Sequence, residues 1–404
     1  MRAIEDNPEG ITRADIVVGI PSYNEADSIL IPTQQADRGL SKFFGDRVGV
    51  LINCDNNSPD NTRQAFLDTP TKNPKIYLST PDGVLGKGQN LKNLFEKALE
   101  LSARAIVVVD ADLKSITPQW IRNLASPLFE DFHLVTPLYA RHKYDGLMTK
   151  VIVYPLTRAL YGRRVRQPVG GEFGISRELA GIFLDNQPWS ETVESWGIDV
   201  WMTTIAMRSR VPIIQSFMGS PKIHTIKDPE ADPGPIFRNT LAIIFELMGK
   251  YQDFWKEVKW SRPTAVYGIG TEPEVPPTVD VDVKALWEQF SAGVATYRDL
   301  YGEALQPGTN AKLQEVAGLP REGFEFPSAL WAKVLYDFAC AFNRRTVASD
   351  DLVTSLIPLY HGKILSFVLE TEAMNAQQVE ETIEDACLQF EKTKSYLVDR
   401  WFSG

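Results

Sequence analysis

Cysteine is scarce in this chain of 404 residues: Cys54, Cys340 and Cys387 lie far apart, form no Cys-x-x-Cys pair and are odd in number. That excludes a disulfide framework and points to a reducing compartment with inert thiols. Histidine is nearly as scarce, with four residues. Net positive charge is missing: 42 Lys and Arg face 52 Asp and Glu, a balance of −10. Such a chain has no electrostatic footprint for sequence-independent nucleic-acid binding, although a local basic pocket remains open to it. The start of the chain is acidic and polar, with no apolar core of the kind a secretory signal carries. No run approaches the roughly 18 apolar residues of a membrane span. The expectation is a soluble, cytoplasmic protein without nucleic-acid or membrane partners.

Composition is near the globular average, with 44% hydrophobic and 23% charged residues. At about 150 residues per domain the length corresponds to two or three domains. Short β-branched runs alternate with helical spacing in the first half. Strands are expected at 16–20, 48–53, 75–78 and 105–109, with helices near 26–44 and 91–103. Continuous apolar runs between helices suit strands buried on both faces of a mostly parallel sheet. In such sheets the loops at the carboxyl ends of the strands form the ligand crevice. Three of the four runs stop at acidic or polar clusters: Pro21-Ser22-Tyr23-Asn24-Glu25, Asp55-Asn56-Asn57-Ser58, and Asp110-Ala111-Asp112. Further strands are expected at 132–137 and 211–217, and helices at 146–161 and 176–184. A Pro- and Asp-rich stretch at 229–235 is a candidate boundary. Beyond about 283 the spacing is helical, at 328–343, 350–370 and 374–401.

Several clusters can carry chemistry. Asp110 and Asp112 offer hard oxygen ligands to Mg²⁺ or Mn²⁺, cations that proteins often share with substrate phosphates. The plainer reading is a strand ending in solvent. Gly83-Val84-Leu85-Gly86-Lys87-Gly88 allows a close backbone approach to phosphate and adds one cation. It fails the P-loop spacing and the dinucleotide fingerprint, and alone it can be a turn before a helix. His224 can complete a metal site, although a lone histidine is more often structural. Gly170-Gly171-Glu172 suggests a ligand close to the backbone, or a tight turn before a helix. Asp199, in Trp196-Gly197-Ile198-Asp199, sits beside an aromatic, or simply opens a helix. Arg141, Asp145 and Thr149 recur every four residues, which on a helix stacks them on one face. There they can clamp a carboxylate and a hydroxyl, or form an ordinary ion pair. Arg163, Arg164 and Arg166 form a basic cluster, an acceptor-phosphate site or a surface turn.

Together these pieces resemble a GT-A-fold glycosyltransferase. More closely they resemble the mannosylglycerate synthase family, with glucosylglycerate and glucosyl-3-phosphoglycerate synthases as relatives. That family pairs Gly-Lys-Gly with Asp-Ala-Asp, followed by Gln-Pro-Leu-Gly-Gly-Glu, Trp-Gly-Ile-Asp and a late histidine. All occur here in order, with Val169 in place of the leucine. The resemblance is good over about 15–230. It implies a catalytic GT-A domain over 1–235, mostly parallel with helices on both faces, and a mostly helical region over 236–404. The helical region is left with two roles, a homodimer interface or a lid.

The resemblance also implies roles. Asp112 and His224 hold Mg²⁺ or Mn²⁺. Lys87 assists on the diphosphate of a GDP- or UDP-hexose. Pro21, Tyr23, Glu25, Asp55, Asp110, Ala111, Gly170 and Gly171 bind that donor. Arg141, Asp145 and Thr149 hold the acceptor, and Asp199 lies where sugar and acceptor meet. Asp112, Asp199, Lys87 and Glu172 make up the catalytic set. The implied reaction is retaining transfer of glucose or mannose to D-glycerate, giving a compatible solute. Transfer to 3-phosphoglycerate is the alternative. A nucleotidyltransferase needs a glycine-rich loop after the first strand, where this chain has Pro21 to Glu25. A non-catalytic nucleotide-sugar binder is the remaining alternative. The family's Tyr-Gly-Gly after the histidine is replaced by Thr225-Ile226-Lys227-Asp228, which leaves the donor's identity open.

Overall fold

The structure is a computed structural model and describes residues 2–186, 189–224, 234–268 and 274–403. The chain divides into two compact units. The first comprises Met1–Ala140, Val165–Ala231 and Thr264–Pro276; the second comprises Arg141–Arg164, Asp232–Pro263 and Pro277–Gly404. This differs from a single cut at 235. The 229–235 stretch, up to 233, lies outside the described residues.

Among the described residues, the first unit is built on a nine-stranded sheet. Its strands are β1 (Ile4–Asp6), β2 (Ile16–Ser22), β3 (Gly49–Asp55), β4 (Lys75–Ser79), β5 (Ala105–Val108), β6 (Leu134–Leu138), β7 (Phe173–Ser176), β8 (Ile213–Phe217) and β9 (Ala265–Tyr267). The order is β1-β4-β3-β2-β5-β7-β6-β8-β9. Pairing is parallel except where β1 meets β4 and where β7 inserts between β5 and β6. Every residue of β2 and β3 is buried, which is why both read as continuous apolar runs rather than alternating ones.

Alternate residues of β2 serve opposite faces. Val18 and Ile20 join one apolar cluster with Ala36 and Leu40 of the helix Leu30–Phe43 and with Trp120 and Ile121 of the helix Pro118–Ala125. Gly19 faces the other way, and a Cβ there would lie 2.2 Å from Leu94 Cδ2 on the helix Lys87–Glu100. A glycine in mid-strand lets that helix settle onto the sheet. Helices therefore cover both faces, as expected of a GT-A-type domain. β2 and β3 end in register at Ser22 and Asp55, and β5 ends just before Asp110. The polar clusters thus gather at one edge of the sheet, at its carboxyl ends.

The second unit is helical. Its longest helix, Ser349–Thr371, is long and apolar enough to cross a membrane by length and composition, with a mean hydropathy of 1.5. Thr354, Ser355, His361 and Lys363 interrupt it, so it holds no continuous run of about 18 apolar residues. About two thirds (67%) of the apolar window is buried inside the fold, as befits a core helix. It packs closely on the helix Val283–Thr296: a Cβ on Gly293 would lie 2.1 Å from Pro358, and one on Gly362 would lie 2.4 Å from Phe290.

Residues 141–164 join this unit through buried polar anchors. Trp331 Nε1 donates to Val151 O (2.8 Å). The fully buried Arg158 pairs with Glu384 (2.6 Å) and Glu391 (2.8 Å). Lys394 Nζ donates to Ala159 O and Val258 O. A buried guanidinium is stable only with such partners, and here they lie more than 220 residues further along the chain. The helix expected over 374–401 is two helices, Ala376–Lys392 and Lys394–Phe402, separated at Thr393. All three cysteines are buried.

Candidate active site

The ladder of β5 continues for one more bond, Val109 N to Gly19 O (3.1 Å). The chain then leaves the sheet through Asp110-Ala111-Asp112. Directly beyond, Leu113 forms an antiparallel bridge with His224, and Lys114 N donates to Ile223 O (2.9 Å). This pairing sets His224 beside Asp112, with Nδ1 and Oδ1 3.1 Å apart. Ligand atoms of Asp110, Asp112 and His224 all lie within 4.8 Å of one another. Two carboxylates and an imidazole at that spacing fit an ion such as Mn²⁺ or Mg²⁺. Ala111 points its methyl into the apolar cluster and is 3% exposed, so only its backbone can meet a ligand.

Behind this group lie two ammonium groups. Lys87, the first residue of the helix Lys87–Glu100, reaches Asp110 Oδ1 (2.8 Å) and Asp199 Oδ1 (3.3 Å). Lys222 reaches Asp110 Oδ2, Glu172 Oε2 and Gly170 O, each at 2.9 Å. Glu172 is fully buried and accepts from Tyr139 Oη. Asp199, in the first turn of the helix Ile198–Arg208, accepts from Gly171 N through Oδ2 (3.0 Å).

Burial opposes the charge on Lys87, but Asp110, Asp199 and Glu172 outweigh it and the ammonium is held above its ordinary range. Burial likewise opposes the charge on Asp110, yet Lys222 and Lys87 hold the carboxyl well below its usual range. On Glu172 burial dominates and pushes the carboxyl up.

Glycines make this crowding possible. Gly171 has φ +82°, and a Cβ there would lie 2.2 Å from Lys222 Nζ and 2.4 Å from Asp110 Oδ2. Gly86, at φ +131°, and Gly88 would drive a Cβ to within 2.2 Å of Glu194 O and 2.0 Å of Val193 O. Gly88 N bonds Ser195 O (3.0 Å). The Gly-Lys-Gly step therefore docks Lys87 against the segment that precedes Asp199.

The donor-binding residues expected at the ends of β2 and β3 take varied positions. Pro21 is buried in β2, in register with Cys54. Tyr23 is 41% exposed. Glu25 N bonds Thr62 Oγ1, and its carboxylate accepts from Ser28. Asp55 is fully buried and accepts from Ser22 Oγ (2.7 Å), Ser58 N (2.6 Å), Ser58 Oγ (2.7 Å) and Tyr77 Oη (3.0 Å). With four donors on it, this carboxylate holds the β2 and β3 loops together.

Arg141, Asp145 and Thr149 belong to the helical unit. They do not share one helical face. Arg141 and Asp145 precede the helical segment, Gly146 breaks it at φ +65°, and Thr149 opens a π-helical turn, Thr149–Val153. The ion pair survives, with Arg141 Nη1 3.4 Å from Asp145 Oδ1. The basic cluster is divided, with Arg163 and Arg164 in the helical unit and Arg166 in the sheet unit. Residues 225–228 lie outside the described residues.

Two participants were not legible in the sequence. Lys222 has no motif around it and meets Asp110 across 112 residues. Tyr139 follows β6 by one residue and reads as an ordinary aromatic there. The only available signal was the position of Lys222 two residues before His224.

No curated protein matches this chain. Among solved structures similar to it is glucosyl-3-phosphoglycerate synthase from Mycobacterium tuberculosis in complex with Mn²⁺, UDP and glucosyl-3-phosphoglycerate. That likeness has 24% identity over 59% of this chain and 80% of the other, with a TM-score of 0.45. The same enzyme with Mn²⁺, UDP-glucose and phosphoglyceric acid gives 23% identity over 59% of this chain and 79% of the other, at 0.44. With Mg²⁺ and UDP it gives 23% identity over the same shares, at 0.45. In sequence, residues 72–233 of this chain match the family model described as mannosylglycerate synthase, GT domain.

Proposed function

We propose that this chain is a metal-dependent retaining hexosyltransferase that moves glucose or mannose from a nucleotide-diphosphate sugar to D-glycerate. The observation that carries this reading is the Asp110, Asp112 and His224 group at the end of β5, flanked by Lys87, inside the stretch that matches the family model. Asp112 and His224 would hold the divalent cation, whose bound charge offsets that building on a departing diphosphate. Lys87 adds a fixed ammonium beside the same place, at the start of a 14-residue helix with no acid in its first turn. A cation preorganised where negative charge develops lowers the barrier without reorganisation at the moment of reaction.

Glu172 is held by Tyr139 and Lys222, and Asp199 by Gly171 N and Lys87. Neither carboxylate stands free as a covalent nucleophile, which favours attack by the acceptor on the face the leaving group vacates.

The test is a panel of GDP- and UDP-glucose and -mannose against D-glycerate and 3-phosphoglycerate, with Mg²⁺ or Mn²⁺, reading nucleoside diphosphate release and the product anomer by NMR. Turnover with one nucleotide hexose and D-glycerate, with the donor's anomeric configuration kept, is expected. Turnover only with 3-phosphoglycerate would move the acceptor assignment to the phosphorylated acid. An inverted anomer would overturn retention, and silence across the panel would overturn the activity.

A further inference from the structure

Asp110 is claimed from both sides. Lys87 takes Oδ1 (2.8 Å) and Lys222 takes Oδ2 (2.9 Å). Lys222 has all three ammonium donors in use, on Asp110, Glu172 and Gly170 O, and its side chain is 5% exposed. The main chain is shaped around it, since any side chain at Gly171 would begin 2.2 Å from its nitrogen. Yet a ligand oxygen of Asp110 also lies within 4.8 Å of those of Asp112 and His224. One carboxylate therefore has two competing uses.

We infer that Lys222 is an internal counter-ion that competes with the divalent metal for Asp110, so that Asp112 and His224 carry the metal and Asp110 is kept back from it. Lys222 acts here as a positioning residue: it acts on the metal through Asp110. The inference rests on the metal-site reading above and goes beyond it by assigning what sets the strength of that site. Removing the Lys222 charge takes one positive charge from beside the metal position and leaves Asp110 with one ammonium partner. Both changes favour the cation, by on the order of tenfold or more for charges a few ångströms apart near a protein surface.

The experiment is Mn²⁺ binding to the full chain, read by electron paramagnetic resonance of free Mn²⁺, with no substrate present. Lys222→Met, which keeps the stem and removes the charge, is expected to lower the Mn²⁺ Kd by about tenfold or more. Lys222→Arg is expected to stay within about threefold of wild type, because the charge remains. Unchanged or weaker Mn²⁺ binding by a folded Lys222→Met overturns the inference. Lys222→Gln repeats the test if the Met variant fails to fold. Failure of both neutral variants to fold also overturns it, since the lysine would then serve the fold alone. Asp112→Asn is run alongside and is expected to weaken Mn²⁺ binding by at least tenfold, in line with the loss of a direct ligand. If it does not, the metal-site reading has failed, an outcome separate from the fate of Lys222.

Discussion

At the scale of single residues, Gly171 shows how little room the site leaves. Its φ of +82° lies in the region that side chains avoid, and its missing Cβ makes room for Lys222 Nζ and Asp110 Oδ2. Gly171→Ala should therefore lose stability by about 1–3 kcal/mol through backbone strain. It should also displace one of the two charged groups, with kcat/KM falling by about a hundredfold or more, as expected when catalytic groups shift by an ångström. Urea denaturation and nucleotide release measure the two effects, and an Ala variant as active as wild type would show that this packing is irrelevant to the site. The Gly170-Gly171-Glu172 step was visible in the sequence because paired glycines before an acid are unusual. Lys222 was not, because a lone lysine after a Gly-Ser-Pro turn has no periodicity to betray a partner 112 residues away. Asp55 was visible as a polar strand end, but two of its four hydrogen bonds come from Ser22 and Tyr77, which only the sheet register brings near.

At the scale of elements, the long buried strands were legible because parallel central strands are apolar throughout. β7 was not, since Phe173–Ser176 spans four residues around Gly174, where a Cβ would lie 2.1 Å from Leu124 O. The three-residue strands β1 and β9 offer no pattern at all. The segment around Arg141 was misread for a different reason. A four-residue spacing invites a helical face, but the chain reaches the helix only after Gly146. What secures the segment is Lys143, whose ammonium meets the carbonyls of Thr371 (2.8 Å), Glu372 (2.7 Å) and Met374 (3.3 Å) at the end of the helix Ser349–Thr371. A cation on the C-terminal carbonyls of a helix gains from both hydrogen bonding and the helix dipole. Lys143→Ala should cost about 1–3 kcal/mol of stability in urea, and Lys143→Arg should recover part of it. An Ala variant indistinguishable from wild type would show that other groups hold this helix end.

At the scale of the whole molecule, the −10 balance of the chain hides lysines in the interior of its helical unit. Burial lowers Lys394 to about 7, with Glu391 opposing the shift, and lowers Lys363 to about 8. Each donates to two acceptors: Lys394 to Ala159 O and Val258 O, Lys363 to Phe326 O and Ser328 Oγ. A neutral amine has two N–H groups, so two acceptors suit it without a charge. In the unfolded chain Lys394 returns to its ordinary value of 10.5. Between about pH 7 and that value the unfolded state therefore binds more protons, and stability rises with pH across the window. Below about pH 7 both states are protonated and the penalty of the buried charge is present in full. The general charge of the molecule predicts the opposite trend, since an acidic chain grows more negative as pH rises and its self-repulsion should weaken the fold. The two trends can be separated by substitution. Wild type should gain stability from pH 7 to 9 in urea denaturation, while Lys394→Met should gain less, because the titrating amine is gone and the stem still fills its place. If the two proteins show parallel pH profiles, Lys394 is not titrating in this range, and the helical unit holds the amine charged against those two carbonyls.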